Sequence, residues 1–302
     1  MTRWNRLIPS LVFICLLAGS CGASKPLGEP SSPGQANPTR SIAVSVPASS
    51  IYLLDPATQQ VRTEVRGLTD FQAGYAAWSP DHRHLAYGDN AIVTVDTLTG
   101  RPSVLVRGPS LSMPAWSPDG LRIAYGDGRD LWVSPASKVA ATYLQLPLSL
   151  APLDMDWGRS GLIAFQGLRL ECHVPLGCSS TNSSDLWTVR PDGTGLKQLT
   201  NVGDVSAPRW SPDGRRIVFV RRSGAEGPGQ LWSVAADGTG AARLVAGKDV
   251  LGGDWSPDSR QIAVVATGPL PKTLRVWIGS ADGRGLGAVG PIIRGAQASI
   301  DW

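Results

Sequence analysis

Four charged residues occupy equivalent places in the chain, each directly before a tryptophan that ends a short apolar segment. They are Asp156, Arg209, Asp254 and Asp301. Carboxylate oxygens are the ligands that hard cations prefer, so three aspartates brought together would form a cation or ligand site. The structural alternative is that Arg209 pairs with Asp156 or Asp254, while Asp301 accepts hydrogen bonds from backbone donors. The sequence leaves both open, and we predict no resident metal ion and no cofactor.

A pair of cysteines stands close together in a polar stretch, Cys172 and Cys178, with five residues between them. In an exported protein such a pair is typical of a disulfide bond. A metal site would need four ligands, and His173 is the only obvious third. We therefore predict a disulfide here rather than a metal centre.

Six tryptophans recur along the chain at intervals of 38 to 53 residues, and the sequence between them contains only short strand-like segments. Four of them precede Ser-Pro-Asp, one precedes the altered copy 158–161, and one ends the chain. A repeat of this length predicts a circular or solenoidal array. The tryptophans are Trp78, Trp116, Trp157, Trp210, Trp255 and Trp302.

The clearest repeat, residues 207–245, predicts four short antiparallel strands. Pro212-Asp213-Gly214 matches a turn in which proline presets φ and glycine takes the left-handed position. Large apolar residues on both faces of the small sheet must be covered by neighbouring copies, so we interpret the tryptophans as packing residues. His82 and Ser259 replace the turn glycine, at a cost of about 1–2 kcal/mol each if φ stays positive.

The two ends of the repeat region complete each other. Residues 42–46 predict a second strand, and Ser299 to Trp302 predict a first strand. Pairing them closes the ring and removes its exposed edges. Residues 41–302 then hold six blades of about 44 residues, the length typical of propeller blades. The predicted fold is all-β, a six-bladed β-propeller of four-stranded antiparallel blades.

The repeat resembles a known one. Trp-Ser-Pro-Asp-Gly is followed after two residues by Ile123-Ala124-Tyr125, and later by Leu-Trp-x-Val with Asp-Gly-Thr-Gly. This pattern is similar to the TolB-type propeller repeat and covers the whole body of the chain. TolB carries a further N-terminal domain, which has no counterpart before residue 41, so the resemblance implies the fold and not the role of TolB.

Binding is expected where the copies differ, because variable loops on a rigid scaffold commonly carry recognition. The largest difference is the insertion from Gly167 to Ser184 in the fourth blade. It either forms part of a recognition patch across blades four to six or is a solvated loop trimmed by its disulfide. The candidate binding residues are Arg169, Glu171, His173, Arg221, Arg222, Glu226 and Lys272.

The N-terminus predicts export. Two arginines precede an apolar core of 11 residues, Leu7 to Leu17, which is too short to span a bilayer. Residues 1–20 are read as a signal peptide, and Ala18-Gly19-Ser20-Cys21 resembles a bacterial lipoprotein cleavage box, which implies a lipidated Cys21. The alternative is ordinary secretion. Residues 21–40, rich in Pro, Ser and Gly, predict a disordered tether, so we expect a lipid-anchored protein of the cell membrane or envelope.

Three function classes remain. The net charge of +4 is scattered, which does not indicate nucleic acid. The three histidines, His82, His84 and His173, do not form the channel cluster on which propeller lyases and quinoprotein enzymes rely, and no hydrolase elbow or phosphate loop occurs. We predict a non-enzymatic, monomeric propeller that binds a protein or glycan. The runner-up is a scaffold subunit of an envelope complex, and a propeller lyase is the third choice.

Overall fold

The computed structural model describes residues 41–47, 49–66, 75–88, 90–108, 110–137, 141–173, 177–224 and 227–302. The predicted signal peptide, lipidation site and tether lie outside these ranges and stay predictions. Within the described ranges no helix is long and apolar enough to cross a bilayer.

The described residues form 24 strands in six four-stranded antiparallel sheets, which confirms the predicted all-β propeller. The first twelve strands are β1 (Ile42–Val46), β2 (Ser50–Leu54), β3 (Val61–Arg66), β4 (Ala77–Trp78), β5 (His84–Gly88), β6 (Ala91–Asp96), β7 (Arg101–Arg107), β8 (Ser112–Trp116), β9 (Arg122–Gly126), β10 (Leu131–Pro135), β11 (Thr142–Leu144) and β12 (Leu150–Trp157). The other twelve are β13 (Ile163–His173), β14 (Gly177–Val189), β15 (Lys197–Gln198), β16 (Val205–Trp210), β17 (Arg216–Arg221), β18 (Gln230–Ala235), β19 (Ala242–Val245), β20 (Val250–Trp255), β21 (Gln261–Thr267), β22 (Thr273–Ser280), β23 (Gly287–Arg294) and β24 (Ser299–Asp301).

Five of the sheets are consecutive in sequence and one is closed by the chain ends. Blades 2 to 6 are β4–β7, β8–β11, β12–β15, β16–β19 and β20–β23, and blade 1 has the order β24-β1-β2-β3. In blade 1, Ala43 pairs with Asp301 and Ser45 with Ser299. The predicted closure by N- and C-terminal strands is therefore confirmed.

The apolar core lies between the blades. Six clusters of buried residues each combine side chains from two neighbouring blades, so every interface of the ring is filled. Trp78, Trp157, Trp210 and Trp255 are 3% to 7% exposed. This confirms that these tryptophans pack between blades, where an aromatic side chain contributes a large buried area.

The insertion in blade 4 is a β-hairpin rather than a loop. β13 and β14 contain 11 and 13 residues, and their pairing continues to His173 opposite Gly177. The corresponding strands of blade 5, β17 and β18, contain six residues each. The polar composition of this segment hid its strand structure, because both faces of a projecting hairpin meet solvent and no apolar alternation is required.

Candidate functional site: the loop rim and the central channel

The strand directions give the propeller two different rims. In blade 5 the connections at residues 211–215 and 236–241 lie on one side, which we call the turn rim. The strand ends that flank the β17–β18 and β19–β20 connections lie on the opposite side, and with the corresponding strand ends of the other blades they define the loop rim. Ser41 and Trp302, the two ends of the propeller, lie on the turn rim.

On the turn rim the Ser-Pro-Asp motif is used to build the turn. Ser211 Oγ donates to Asp213 Oδ1 at 2.6 Å and accepts the backbone N–H of Arg216 at 3.0 Å. Asp213 also accepts the N–H of Arg215 at 3.0 Å, and these bonds hold the pKa of its carboxyl below the usual value. The other three copies make equivalent bonds. The polar groups of the motif are therefore occupied within the turn.

The strain predicted in two copies is present. His82 and Ser259 have φ of 52° and 59°, against 70° at Gly214. In the altered copy, Gly158 stands where the others have serine, and a Cβ there would lie 2.7 Å from the ring of Trp210. Close packing of that ring explains why this copy departs from the pattern.

The channel aspartates join neighbouring blades through backbone amides. Asp156 Oδ1 accepts the N–H of Trp157 at 2.8 Å, and its Oδ2 accepts the N–H of Trp210, in the next blade, at 2.6 Å. Equivalent bridges run from Asp254 to Trp255 and Trp302, and from Asp301 to Trp78. These carboxylates thus connect blade 4 to 5, 6 to 1 and 1 to 2 near the axis.

Arg209 pairs with Asp154, so the predicted pairing with Asp156 or Asp254 is wrong. Its Nη1 lies 3.0 Å from Asp154 Oδ1, and the two residues are 6% and 3% exposed. The predicted partners already use both carboxylate oxygens on tryptophan amides. Asp154 lies in a β-bulge of β12, between Pro152 and Met155. A bulge redirects a side chain away from strict alternation, which is why sequence reasoning missed this residue.

Burial dominates the electrostatics of the channel. Burial raises the pKa of Asp156 to about 6 and also raises the pKa of Asp154. The pKa of Asp254 is raised well above its usual value, first by burial and second by the charge of Asp301. The charge of Arg209 opposes all three shifts. Burial also disfavours the charged guanidinium, but the surrounding aspartates raise the pKa of Arg209 above its usual value, so it stays protonated.

The channel opens on the turn rim into a cavity of about 190 Å³, lined by the six repeat tryptophans together with Asp156, Asp254, Asp301 and His82. In the part of the chain that the structure describes, no group of three His, Cys, Asp or Glu residues has an arrangement that could hold a metal ion. The predicted hydrogen bond from a backbone donor to Asp301 is present. Asp156 and Asp254 accept tryptophan N–H groups in the same way, so the geometry favours a structural role for the three carboxylates.

On the loop rim, the blade 4 hairpin is cross-linked near its tip. Cys172 and Cys178 are directly paired across the strands and form a disulfide with an S–S distance of 2.01 Å, which confirms that prediction. Arg169, lower in the hairpin, donates to Asp185 at 3.1 Å and to Asn201 at 2.8 Å. Arg169 therefore anchors the hairpin to the β15–β16 connection.

The predicted residues of blade 5 also make internal contacts. Arg222 Nη1 donates to Asp249 Oδ1 at 3.1 Å and to the Gly227 carbonyl at 2.9 Å. The guanidinium of Arg221 lies over the ring of Trp232, 5.3 Å from its centroid. The side chains of His173 and Glu226 lie outside the described part of the structure. Of the predicted patch, Glu171 and Lys272 remain exposed, and neither makes an ion pair among the described residues.

Lys272 belongs to a feature that sequence reasoning missed. A groove of about 640 Å³ lies on the loop rim between blade 6 and blade 1. It brings together Lys272 from the β21–β22 connection, Arg294 at the end of β23 and Val46 at the end of β1. Arg294 is exposed. No sequence signal pointed to this groove, because only ring closure places the first and last blades side by side.

Comparison with known proteins supports the fold. No protein-family model matches the chain. A segment of 39 residues is 49% identical to the Tol-Pal system protein TolB of Nitratidesulfovibrio vulgaris, and this segment is 13% of the chain and 9% of that relative.

Solved structures of several other proteins resemble the propeller. A putative TolB from Agrobacterium tumefaciens has a TM-score of 0.64 at 18% identity, over 85% of this chain and 90% of that one. A chain of a nidogen–laminin complex has a TM-score of 0.64 at 12% identity, over 86% and 97%. An oligogalacturonate lyase in complex with manganese has a TM-score of 0.54 at 14% identity, over 80% and 70%.

These structures show the propeller fold, and the 39-residue match adds a similarity in sequence to TolB. The resemblance predicted from the repeat is confirmed: the protein is a TolB-like six-bladed β-propeller.

Proposed function

We propose that the protein is a non-enzymatic binding module of the cell envelope that recognises a protein or glycan through its loop rim. The observation that carries this proposal is the projecting hairpin β13–β14. It extends five to seven residues beyond the hairpin of blade 5, which is about 17–24 Å at 3.4 Å per residue. Its disulfide near the tip restricts the conformations of an otherwise solvated element. A preordered surface loses less entropy when a partner binds.

Export, the lipid anchor on Cys21 and the tether at residues 21–40 are part of the proposal. They would hold a rigid propeller at a distance from a membrane and leave its rim accessible to other envelope components. The TolB relative is named as a component of the Tol-Pal system and the nidogen structure is a complex with laminin, so propellers of this shape occur in protein assemblies. The lyase with the same fold is the reason to test for catalysis separately, because fold alone does not assign function.

The test is crosslinking in intact cells followed by purification of the full chain. One variant replaces residues 170–182 by Asn-Gly, a favoured two-residue hairpin turn, and removes the cross-linked tip. A second variant, Cys172→Ser with Cys178→Ser, keeps the hairpin and removes only the disulfide. We expect the shortened variant to lose its crosslinked partner and the double serine variant to recover less of it than wild type. Equal recovery from wild type and the shortened variant would refute the role of the hairpin.

A scaffold subunit, the alternative function, predicts a different result. A scaffold should yield a stoichiometric protein partner whose recovery does not depend on the hairpin. A glycan receptor should yield no stoichiometric protein partner, and its hairpin-dependent retention on immobilised envelope polysaccharide would identify it.

A further inference from the structure

The groove between blades 6 and 1 differs from the rest of the loop rim in its composition. Its floor and walls are largely apolar, formed by Val46, Pro47, Leu270 and Pro271. Gly295 also lines the groove, and its backbone packs so closely that a Cβ there would lie 2.7 Å from Val46 Cγ1. The volume of about 640 Å³ lies within the range of about 300–1,000 Å³ that is typical of ligand pockets.

The apolar edge of the groove is held in place. Leu270 is 61% exposed, yet its backbone is fixed on both sides by one threonine. The hydroxyl of Thr273 donates to the Leu270 carbonyl at 2.6 Å and accepts the Leu270 N–H at 3.2 Å. The turn is closed by Gly268 N–H donating to the Thr273 carbonyl at 2.7 Å. An exposed leucine in a fixed position can bury apolar area on binding with little ordering cost.

The charges at the groove have one sign. Lys272 and Arg294 both line it, and the backbone N–H of Gly295 donates to the Lys272 carbonyl at 2.9 Å, which keeps the two positions adjacent. None of the described residues that line the groove is acidic, and neither cation takes part in an ion pair among the described residues. By contrast, Arg169 and Arg222 elsewhere on this rim are paired with aspartates.

We infer that this groove is a docking site for an extended, acidic segment of a partner protein, in which apolar side chains enter beside Leu270 and carboxylates meet Lys272 and Arg294. The inference rests on the proposed function, because it names the chemistry of a protein partner. Charge complementarity supports it: two cations that form no ion pair with any described residue flank an apolar cavity on the rim that we assign to recognition. Arginine and lysine at such a site both attract carboxylates, and arginine can bind one in bidentate fashion.

The experiment uses the purified full chain and defined peptides. An array of 12-residue peptides alternates Leu or Ile with Asp or Glu, and a matched array carries Lys in place of each acidic residue. Peptides that bind are then measured in solution by fluorescence anisotropy. We expect binding to acidic peptides only, weakened at least tenfold by Lys272→Glu with Arg294→Glu and weakened by Leu270→Ser. The control Arg215→Glu with Arg243→Glu makes the same charge change at exposed positions outside the groove and should bind as wild type.

Three results would overturn the inference: equal binding to both arrays, wild-type affinity in the groove variant, or equal loss in the control variant. Saturable binding of 8-anilinonaphthalene-1-sulfonate that depends on Lys272 and Arg294, without peptide binding, would assign the groove to a small organic anion instead. Crosslinking in cells separates this inference from the proposed function. If the groove variant keeps the partner and the shortened hairpin loses it, the groove assignment fails and the proposed function stands. If neither wild type nor any variant yields a protein partner, and wild type is not retained on immobilised envelope polysaccharide, the proposed function fails.

Discussion

Replacing Arg209 by methionine removes the positive charge from the channel and leaves its carboxylates without compensation. Arg209 and Asp154 are 6% and 3% exposed and form a buried ion pair at 3.0 Å. Breaking a buried pair by removing one partner costs about 3–5 kcal/mol, because the remaining charge is left without a partner in a poorly solvated site. We expect a loss of that size in the free energy of unfolding at pH 7.5.

The two sides of this pair are not equivalent. Asp154→Asn leaves Arg209 with three further aspartates that act on its charge, whereas Arg209→Met leaves Asp154, Asp156, Asp254 and Asp301 without a cation. Asp154→Asn should therefore cost less, about 1–2 kcal/mol. The double variant should lose less than the sum of the two, with a coupling of about 1–3 kcal/mol, as contacting residues show.

The assay is urea unfolding followed by tryptophan fluorescence, with thermal melts as a second measure. For a chain of this size about 2–4 °C accompanies each kcal/mol, so Arg209→Met should lower Tm by about 6–20 °C. The exposed Arg215→Met is the matched control and should change stability by less than about 0.5 kcal/mol. The reasoning is refuted if Arg209→Met is no worse than this control, or if the losses from Asp154→Asn and Arg209→Met are equal and simply add.

Three further predictions follow from the same geometry. The folded-state pKa of Asp156 is raised to about 6, and that of Asp254 is raised well above its usual value. The folded state therefore binds more protons than the unfolded state. As a result, the free energy of unfolding should fall as pH rises from about 4 through 6 and above. Asp254→Asn should flatten that slope in melts between pH 5 and 8, and an unchanged slope would contradict the assignment. Ser259 has a φ of 59°, which glycine adopts without strain, so Ser259→Gly should raise stability by about 0.5 kcal/mol in urea unfolding. A loss of stability would show that the 3.2 Å hydrogen bond from the Asp213 N–H to Ser259 Oγ outweighs the strain. Ser211→Ala should cost about 1–2 kcal/mol because the turn loses a buried hydroxyl that bonds to Asp213 and to backbone, whereas Ser160→Ala, in the altered copy, should be neutral in the same assay.

Much of the fold was predictable from the sequence because it is built from local signals repeated several times. The turn residues of Ser-Pro-Asp form hydrogen bonds within five residues of each other, so their pattern has the same meaning in every copy. The closure of the ring was predictable for a related reason. A lone second strand at residues 42–46 and a lone first strand at the C-terminus each lack a partner, and their pairing satisfies both.

The site was less predictable because it depends on contacts between distant residues. The pairing of Arg209 with Asp154 spans 55 positions and requires a bulge that no local pattern announces. The blade 4 hairpin was expected as a loop, since its polar residues do not alternate with apolar ones. Arg169 and Arg222 were candidate binding residues, and only the structure shows that their guanidinium groups pair with Asp185 and Asp249.

The sequence by itself determined the number of blades and the order of strands, because the repeat recurs along the chain. It also determined the structural character of the Trp-Ser-Pro-Asp motif and the disulfide, because each of these is encoded within a few residues. Only the tertiary structure decided which charges are neutralised and which remain available. Ring closure placed Val46, from the first blade, beside Lys272 and Arg294 of the last. The groove therefore forms only in the closed ring, since blade 6 supplies residues 270–273 and 294–297 and the distant blade 1 supplies Val46, Pro47 and Ser49.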